Sequence, residues 1–230
     1  MRAAAATLLV LAAVGCGGGG DRVTVLAAAS LTDVLPKIDG KARYSFGGSD
    51  ALAAQIREGA PADVFASASP RYPAELHRDG LAAAPRVFAT NRIVAILRRG
   101  LGGGLDALAR PGARVVIGAE GVPAGDYARQ ALHALHRDDV LANVVSEESD
   151  VKGVVSKVAL GEADGGFVYA TDVAPVAGRV RVVELPATAQ PPIEYSIAVV
   201  RRSDRAEAFV NEVLGPTGRG VLRRAGFGTP

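Results

Sequence analysis

Short β-branched apolar runs alternate with Ala- and Leu-rich stretches of helical period from residue 23 onward. The runs predict strands over Val23 to Leu26, Arg43 to Phe46, Val64 to Ala66, Arg92 to Leu97, Val115 to Gly118, Gly166 to Tyr169, Val180 to Glu184 and Ser196 to Val200. Between them, apolar residues three and four apart predict helices over Leu31 to Ile38, Asp50 to Glu58, Ala74 to Asp79, Asp126 to Leu135, Lys152 to Leu160 and Arg205 to Leu214. Strand followed by helix, repeated, is the rhythm of an α/β fold with parallel strands. Punctuation agrees with it: Ser30 and Ser49 stand where N-caps belong, Pro123-Ala124-Gly125 precedes a helix and Gly161 ends one. Taken singly, each serine is explained by capping alone.

The first residues do not follow this rhythm. Arg2 precedes an unbroken apolar or small-residue run from Ala3 to Val14 that ends at Gly15-Cys16. Such a run is shorter than the roughly 20 residues a bilayer span needs, and reads as an export signal. Cys16 is the only cysteine, which excludes an internal disulfide and a thiolate metal cluster. Its place after small residues resembles the bacterial lipoprotein signal, although Ala13 stands where that signal usually has Leu. The resemblance implies a signal over 1–16, lipidation of Cys16 and a flexible tether over 17–22.

Composition narrows the classes further. The net charge of +2 arises from 26 basic and 24 acidic residues interspersed along the chain, without a basic tract interleaved with aromatics. Nucleic acid is therefore not an expected partner. His77, His133 and His136 lack acidic or cysteine neighbours at metal-ligand spacing and read as surface residues. Arg98-Arg99 and Arg201-Arg202 follow strands and read as solvated edges. Gly100 to Gly104 lacks the Lys-Ser/Thr of a phosphate loop and reads as a surface loop. No Ser/His/acid order, paired catalytic carboxylates or reactive thiol supports an enzyme.

What remains is anion chemistry without charged side chains. A helix N-terminus presents unpaired N–H groups and a partial positive charge. Four strand-to-helix turns offer such ends: Ala29-Ser30-Leu31, Gly47-Gly48-Ser49-Asp50, Val122-Pro123-Ala124-Gly125 and Ser149-Asp150-Val151-Lys152. In open α/β sheets, ligands sit beside turns of this kind, at the carboxyl ends of the strands. Tyr169, at the end of Gly166-Phe167-Val168, can add a hydroxyl.

Several of these stretches resemble the periplasmic molybdate-binding proteins of ABC transporters. They are Ala27-Ala28-Ala29-Ser30-Leu31-Thr32-Asp33, Ser45-Phe46-Gly47-Gly48-Ser49, the run from Gln55 to Ala68, Val122 to Ala128, Glu148-Ser149-Asp150-Val151-Lys152-Gly153, Val168-Tyr169 with Asp172, and Glu194-Tyr195. The resemblance covers nearly all of the chain after Gly20. It implies a two-lobed type II periplasmic-binding-protein fold, each lobe a mostly parallel sheet flanked by helices, with the ligand in the interlobe cleft. Lobe 1 is then expected over 23–88 and 197–230 and lobe 2 over 89–196, with crossovers near 88–91 and 194–197. It also implies oxyanion contacts from the hydroxyl and N–H groups of Ser30 and Ser49, the N–H groups of Ala124 and Val151, and the hydroxyl of Tyr169.

The expected ligand is molybdate or tungstate, with no cofactor and no side-chain ligands for a cation. The expected partners are a membrane permease of the ABC type and, through the lipid anchor, the membrane, for a monomer held outside the cytoplasm. Sulfate or phosphate are the alternative ligands. An amino acid would need an Arg and an acid that the five site residues do not supply. Two departures stand out: the Ser30 to Ser49 segment is about eight residues shorter than usual, or roughly two helical turns, and Asp50 follows a proposed ligand residue. Because an unpaired carboxylate beside a dianion would oppose binding, Asp50 is expected to face solvent.

Overall fold

The computed structural model describes residues 22–230; the expected signal, Cys16 with its expected lipid and nearly all of the expected tether lie outside the described residues. The chain forms two five-stranded sheets, each flanked by helices. Strands β1 (Thr24–Ala28), β2 (Arg43–Gly47), β3 (Val64–Ser67) and β4 (Arg86–Asn91) enter the first sheet. The second sheet takes β5 (Ile93–Arg98), β6 (Val115–Gly118), β7 (Val144–Glu148), β8 (Gly165–Tyr169) and β9 (Val180–Glu184). The chain then returns through β10 (Ile193–Val199), giving the orders β2-β1-β3-β10-β4 and β7-β6-β8-β5-β9.

The pairings are mixed, yet the strand directions are mostly parallel. β1 pairs parallel with β2 and β3, while β10 pairs antiparallel with β3 and β4. β6 pairs parallel with β7 and β8, while β5 opposes β8 and β9. In each sheet the odd strand carries the chain away from a crossover, so it must run opposite to strands that end at the cleft. The crossovers lie at Arg92, between β4 and β5, and just before Ile193; the expected boundaries at 88–91 and 194–197 fall within β4 and β10, which belong to the first sheet.

The helices are α1 (Leu35–Ile38), α2 (Ser49–Arg57), α3 (Arg71–Arg78), α4 (Leu105–Ala109), α5 (Pro123–Ala134), α6 (Val151–Ala159), α7 (Asp204–Leu214) and α8 (Pro216–Arg224). The helix expected over Leu31 to Ile38 is reduced to the single turn α1, preceded by a 3-10 turn over Ala29–Leu31. Pro36 explains the late start, because a residue without an N–H and with a fixed φ fits only the first turn of a helix. Buried Val, Ile, Leu and Ala from both faces of the sheets form the core, including Val25, Val64, Ile93, Ile96, Val116 and Val168. Among the described residues no helix is long and apolar enough to cross a membrane.

Candidate functional site

The carboxyl ends of β1, β2, β3 and β8 meet the amino ends of α2, α5 and α6 around one small cavity between the lobes. Its walls are Ala28 to Ser30, Gly47 to Ser49 and Ala68 from the first lobe, and Val122 to Ala124, Asp150, Val151 and Tyr169 from the second. All five expected contact residues are thus brought together, each almost fully buried: Ser30 is 5 % exposed, Ser49 1 %, Ala124 1 %, Val151 3 % and Tyr169 1 %. The space is small, with room for one compact particle and not for an extended solute.

Local structure decides which groups face this space. Gly48 caps α2 in an extended conformation, so Ser49 is the first helical residue and caps nothing. The Ser49 hydroxyl instead accepts the Ala68 N–H at 3.1 Å, which leaves its own proton free to donate. Ser30 lies inside the 3-10 turn, with its Oγ 2.9 Å from the Tyr195 hydroxyl. The expected capping role of both serines is therefore corrected. In α5, Pro123 occupies the first turn at no hydrogen-bond cost and Ala124 follows it. In α6 the cap is Asp150, whose carboxylate accepts from the N–H groups of Lys152 at 2.8 Å and Gly153 at 3.1 Å. The N–H of Val151, ahead of both, is not used by the cap.

Tyr169 supplies the most telling atom. Its hydroxyl is buried and has no hydrogen-bond partner. Burial pushes its pKa well above the ordinary phenol value, so it is a neutral donor. The ring is held by Tyr127, with centroids 6.5 Å apart, and by Tyr195 across the lobes at 5.6 Å. None of the lining residues is cationic. The chemistry on offer is a set of neutral O–H and N–H donors at three helix N-termini.

The seam between the lobes is tight beside the cavity. A Cβ on Gly48 would strike the Ser149 carbonyl of the other lobe, and would lie 2.6 Å from Asp50 Oδ1. Asp50 therefore departs from expectation: its Oδ1 is buried without a partner, folded back over Gly48, though Asp50 does not line the cavity. Close packing of Gly48 against Ser149 leaves no open path to water for this oxygen.

Lys152 spans the seam as well, with Nζ 2.9 Å from Asp33 of the first lobe and 3.2 Å from Asp172 of its own. Burial pushes Asp172 up to about 6 even though Lys152 draws it down. Burial alone would lower Lys152, but Asp172 and Asp33 outweigh it and hold its pKa above the usual value. Tyr72 donates to the Gly121 carbonyl across the same seam.

Tyr195 and Asn91 were given no role by sequence reasoning. Tyr195 is fully buried, and Asn91 Nδ2 donates to its hydroxyl at 3.4 Å and to Thr171 Oγ1 at 2.9 Å. Only the presence of Tyr195 in one of the matching stretches marked it. His77, His133 and His136 are exposed, as expected. Arg98 and Arg201 are not merely solvated, since they pair with Asp164 at 2.7 Å and Asp63 at 2.6 Å. Among the described residues no group of His, Cys, Asp and Glu is placed to hold a metal ion.

Comparison with known proteins places this geometry in a family. The model of the bacterial extracellular solute-binding proteins matches residues 23–228. The chain belongs to that family. Among relatives of this solute-binding protein, the molybdate-binding protein ModA of Mycobacterium tuberculosis is 36% identical over 228 residues, covering 92% of this chain and 86% of the relative. ModA of Haemophilus influenzae is 32% identical, covering 90% of this chain and 89% of its own. The periplasmic molybdate-binding protein of Azotobacter vinelandii shares the two-lobed fold, with a TM-score of 0.79 at 24% identity over 91% of this chain and all of that one.

Proposed function

We propose that this solute-binding protein captures molybdate, or the like-shaped tungstate, outside the cytoplasm and delivers it to an ABC transporter permease. The observation that carries the reading is the buried, unpartnered Tyr169 hydroxyl at a cavity also lined by Ser30, Ser49, Ala124 and Val151, where the nearby Asp150 carboxylate is taken up by capping α6. A buried hydroxyl left unpaired costs roughly 1–3 kcal/mol, which an acceptor entering the cavity returns. A fully deprotonated dianion needs only donors, whereas phosphate near neutral pH brings a proton that needs an acceptor. The names of the relatives support the choice of molybdate among such dianions.

In this reading the ligand bridges the lobes, because Ser30 and Ser49 belong to one and Ala124, Val151 and Tyr169 to the other. Binding then favours the closed form, in which alone both sets of contacts exist. Cys16 carries a lipid that holds the protein at the membrane. Palmitate-analogue labelling of wild type but not of Cys16→Ser tests that part.

Calorimetric titration of the purified protein with molybdate, tungstate, sulfate and phosphate tests the ligand. Molybdate is expected to bind far more tightly than sulfate or phosphate, and to stabilise the fold by about 4 kcal/mol at a thousandfold excess over Kd. No thermal shift at millimolar molybdate overturns the assignment. Tight sulfate binding with weak molybdate binding moves it to the alternative oxyanion.

A further inference from the structure

We infer that Asp33, Lys152 and Asp172 form a clamp across the seam that positions the two donor sets around the ligand, and that this clamp sets how long a bound ion is held. The inference rests on the oxyanion reading above. Each member stands close in sequence to an expected contact: Asp33 three residues after Ser30, Lys152 directly after Val151 and Asp172 three residues after Tyr169. None of the three lines the cavity. They act on groups that do.

Local structure makes each link stiff. Around Asp33, the Thr32 N–H and hydroxyl donate to the Ala29 carbonyl at 3.2 and 2.7 Å, and the Val34 N–H donates to the Leu31 carbonyl at 3.1 Å. A pull on Asp33 is therefore felt at Ser30. Lys152 belongs to the first turn of α6, where the Asp150 cap holds its N–H at 2.8 Å, so its backbone moves with the Val151 N–H. Asp172 closes the 3-10 turn Ala170–Asp172 that follows Tyr169.

The division of labour follows from burial. Asp172 is 1 % exposed, neither of its carboxylate oxygens has a hydrogen-bond partner, and Lys152 Nζ lies 3.2 Å from Oδ1. A buried carboxylate stripped of its cation is strongly destabilised, so Lys152 stays with Asp172 whether the lobes are together or apart. Its ammonium has three protons, and Asp172 does not occupy them all. In the closed arrangement the second acceptor is Asp33 Oδ2 of the first lobe, 2.9 Å away. Exposed ion pairs generally contribute little, because both side chains must be ordered and solvent screens the charges. Here Asp172 has already ordered the lysine within its own lobe, and the Lys152 side chain is only 29 % exposed, so the contact with Asp33 retains more of its attraction. That contact exists in the closed form alone. Opening must break it before the ion leaves, whereas capture needs no such step, since the contact forms after the ion has entered. The clamp therefore acts on release and not on entry.

The test is a stopped-flow measurement of molybdate association and release in the purified protein, followed through tyrosine fluorescence at low and high sodium chloride. Asp33→Ala removes the acceptor at an exposed position and leaves the Lys152 and Asp172 pair intact. It is expected to speed release about threefold to tenfold, or ~0.7 to 1.4 kcal/mol, and to leave the association rate near that of wild type. Raising salt from about 20 to about 500 mM is expected to speed release from wild type by screening the clamp, and to leave release from Asp33→Ala unchanged. Because Lys152→Met alone would strand Asp172, the partner variant combines Lys152→Met with Asp172→Asn. In that background Asp33→Ala is expected to have no further effect on release, the non-additivity that marks a direct partnership. A merely structural role for Asp33 would lower the melting temperature of the unliganded protein and act equally in both backgrounds. Release unchanged in Asp33→Ala, as salt-sensitive as in wild type, or sped equally with and without Lys152 and Asp172, overturns the clamp and leaves the ligand assignment intact. A wild type that does not bind molybdate removes both.

Discussion

A hydroxyl that is buried without a partner is a standing cost in the empty protein and a gain in the occupied one, so Tyr169 should show opposite effects on the two. Tyr169→Phe is expected to leave the unliganded protein as stable as wild type or slightly more so. It should weaken molybdate by roughly 1.5 to 3 kcal/mol, the range for a hydrogen bond to a charged group. Melting temperature and calorimetry on the same samples check both halves; unchanged affinity would mean that the hydroxyl serves something other than the ligand. Asp50 makes a second case at this scale. Its buried, unpaired Oδ1 beside the Gly48 and Ser149 contact is a local cost of closure and a negative charge near an anion site. Asp50→Ser is expected to tighten molybdate binding by about threefold to tenfold, or ~0.7 to 1.4 kcal/mol. A weaker complex would show that the carboxylate supports closure instead.

At the scale of the elements, the amino end of α6 divides its labour. Asp150 satisfies the N–H groups of Lys152 and Gly153 and leaves that of Val151 to the cavity. Asp150→Ala is expected to destabilise the fold by about 1 kcal/mol, within the usual range for a lost N-cap, measured by urea unfolding without ligand. No change would mean that water replaces the cap at no cost. How much of this was legible depended on where periodicity and burial agree. β1, β3, β6 and β8, whose residues are nearly all buried, stood out as apolar runs. β7 did not, because Val144–Glu148 alternates between exposed and half-buried positions and carries two glutamates. α8 was hidden by Gly218 and Gly220, each of which costs about 1 kcal/mol of helix propensity relative to Ala. The five site residues were legible because backbone turns and a family pattern mark them. Tyr195 and Asn91 reach the site only through hydrogen bonds to other side chains, and the inward turn of Asp50 lies beside a contact between Gly48 and Ser149, about a hundred residues away along the chain, which no local pattern encodes.

At the scale of the whole molecule, the lobes meet through a charge cluster, of which Asp172 alone is fully buried, as well as through the cavity. Asp172, with Lys152 and Asp33 facing it, has its pKa raised from 3.8 to about 6. Between those values the folded chain holds a proton that the unfolded chain has lost, so this group's contribution to stability falls as pH rises through that window and is constant above it. Asp172→Asn cannot titrate. The difference in unfolding free energy, variant minus wild type, is therefore expected to climb by about 2 kcal/mol from pH 4 to 6 and to level off above about pH 7. A flat difference curve, or a falling one, would show that Lys152 holds Asp172 ionised throughout.

The walls of the cavity come from both lobes, and the five residues expected to contact the ligand are almost wholly shielded from water. An ion held between walls from both lobes is expected to leave when the seam at Gly48 and Ser149 parts. Escape is then a first-order clock wound by the protein rather than by the surrounding solution. In a stopped-flow chase, the rate of loss of bound molybdate is expected to be the same at any excess of competing tungstate. A rate that climbs with competitor would mean that a second ion can enter before the first departs. On the proposed function, residence time is then expected to be a property of the hinge, and delivery to call for a partner that prises the lobes apart, because diluting the ion outside is not expected to hasten its release.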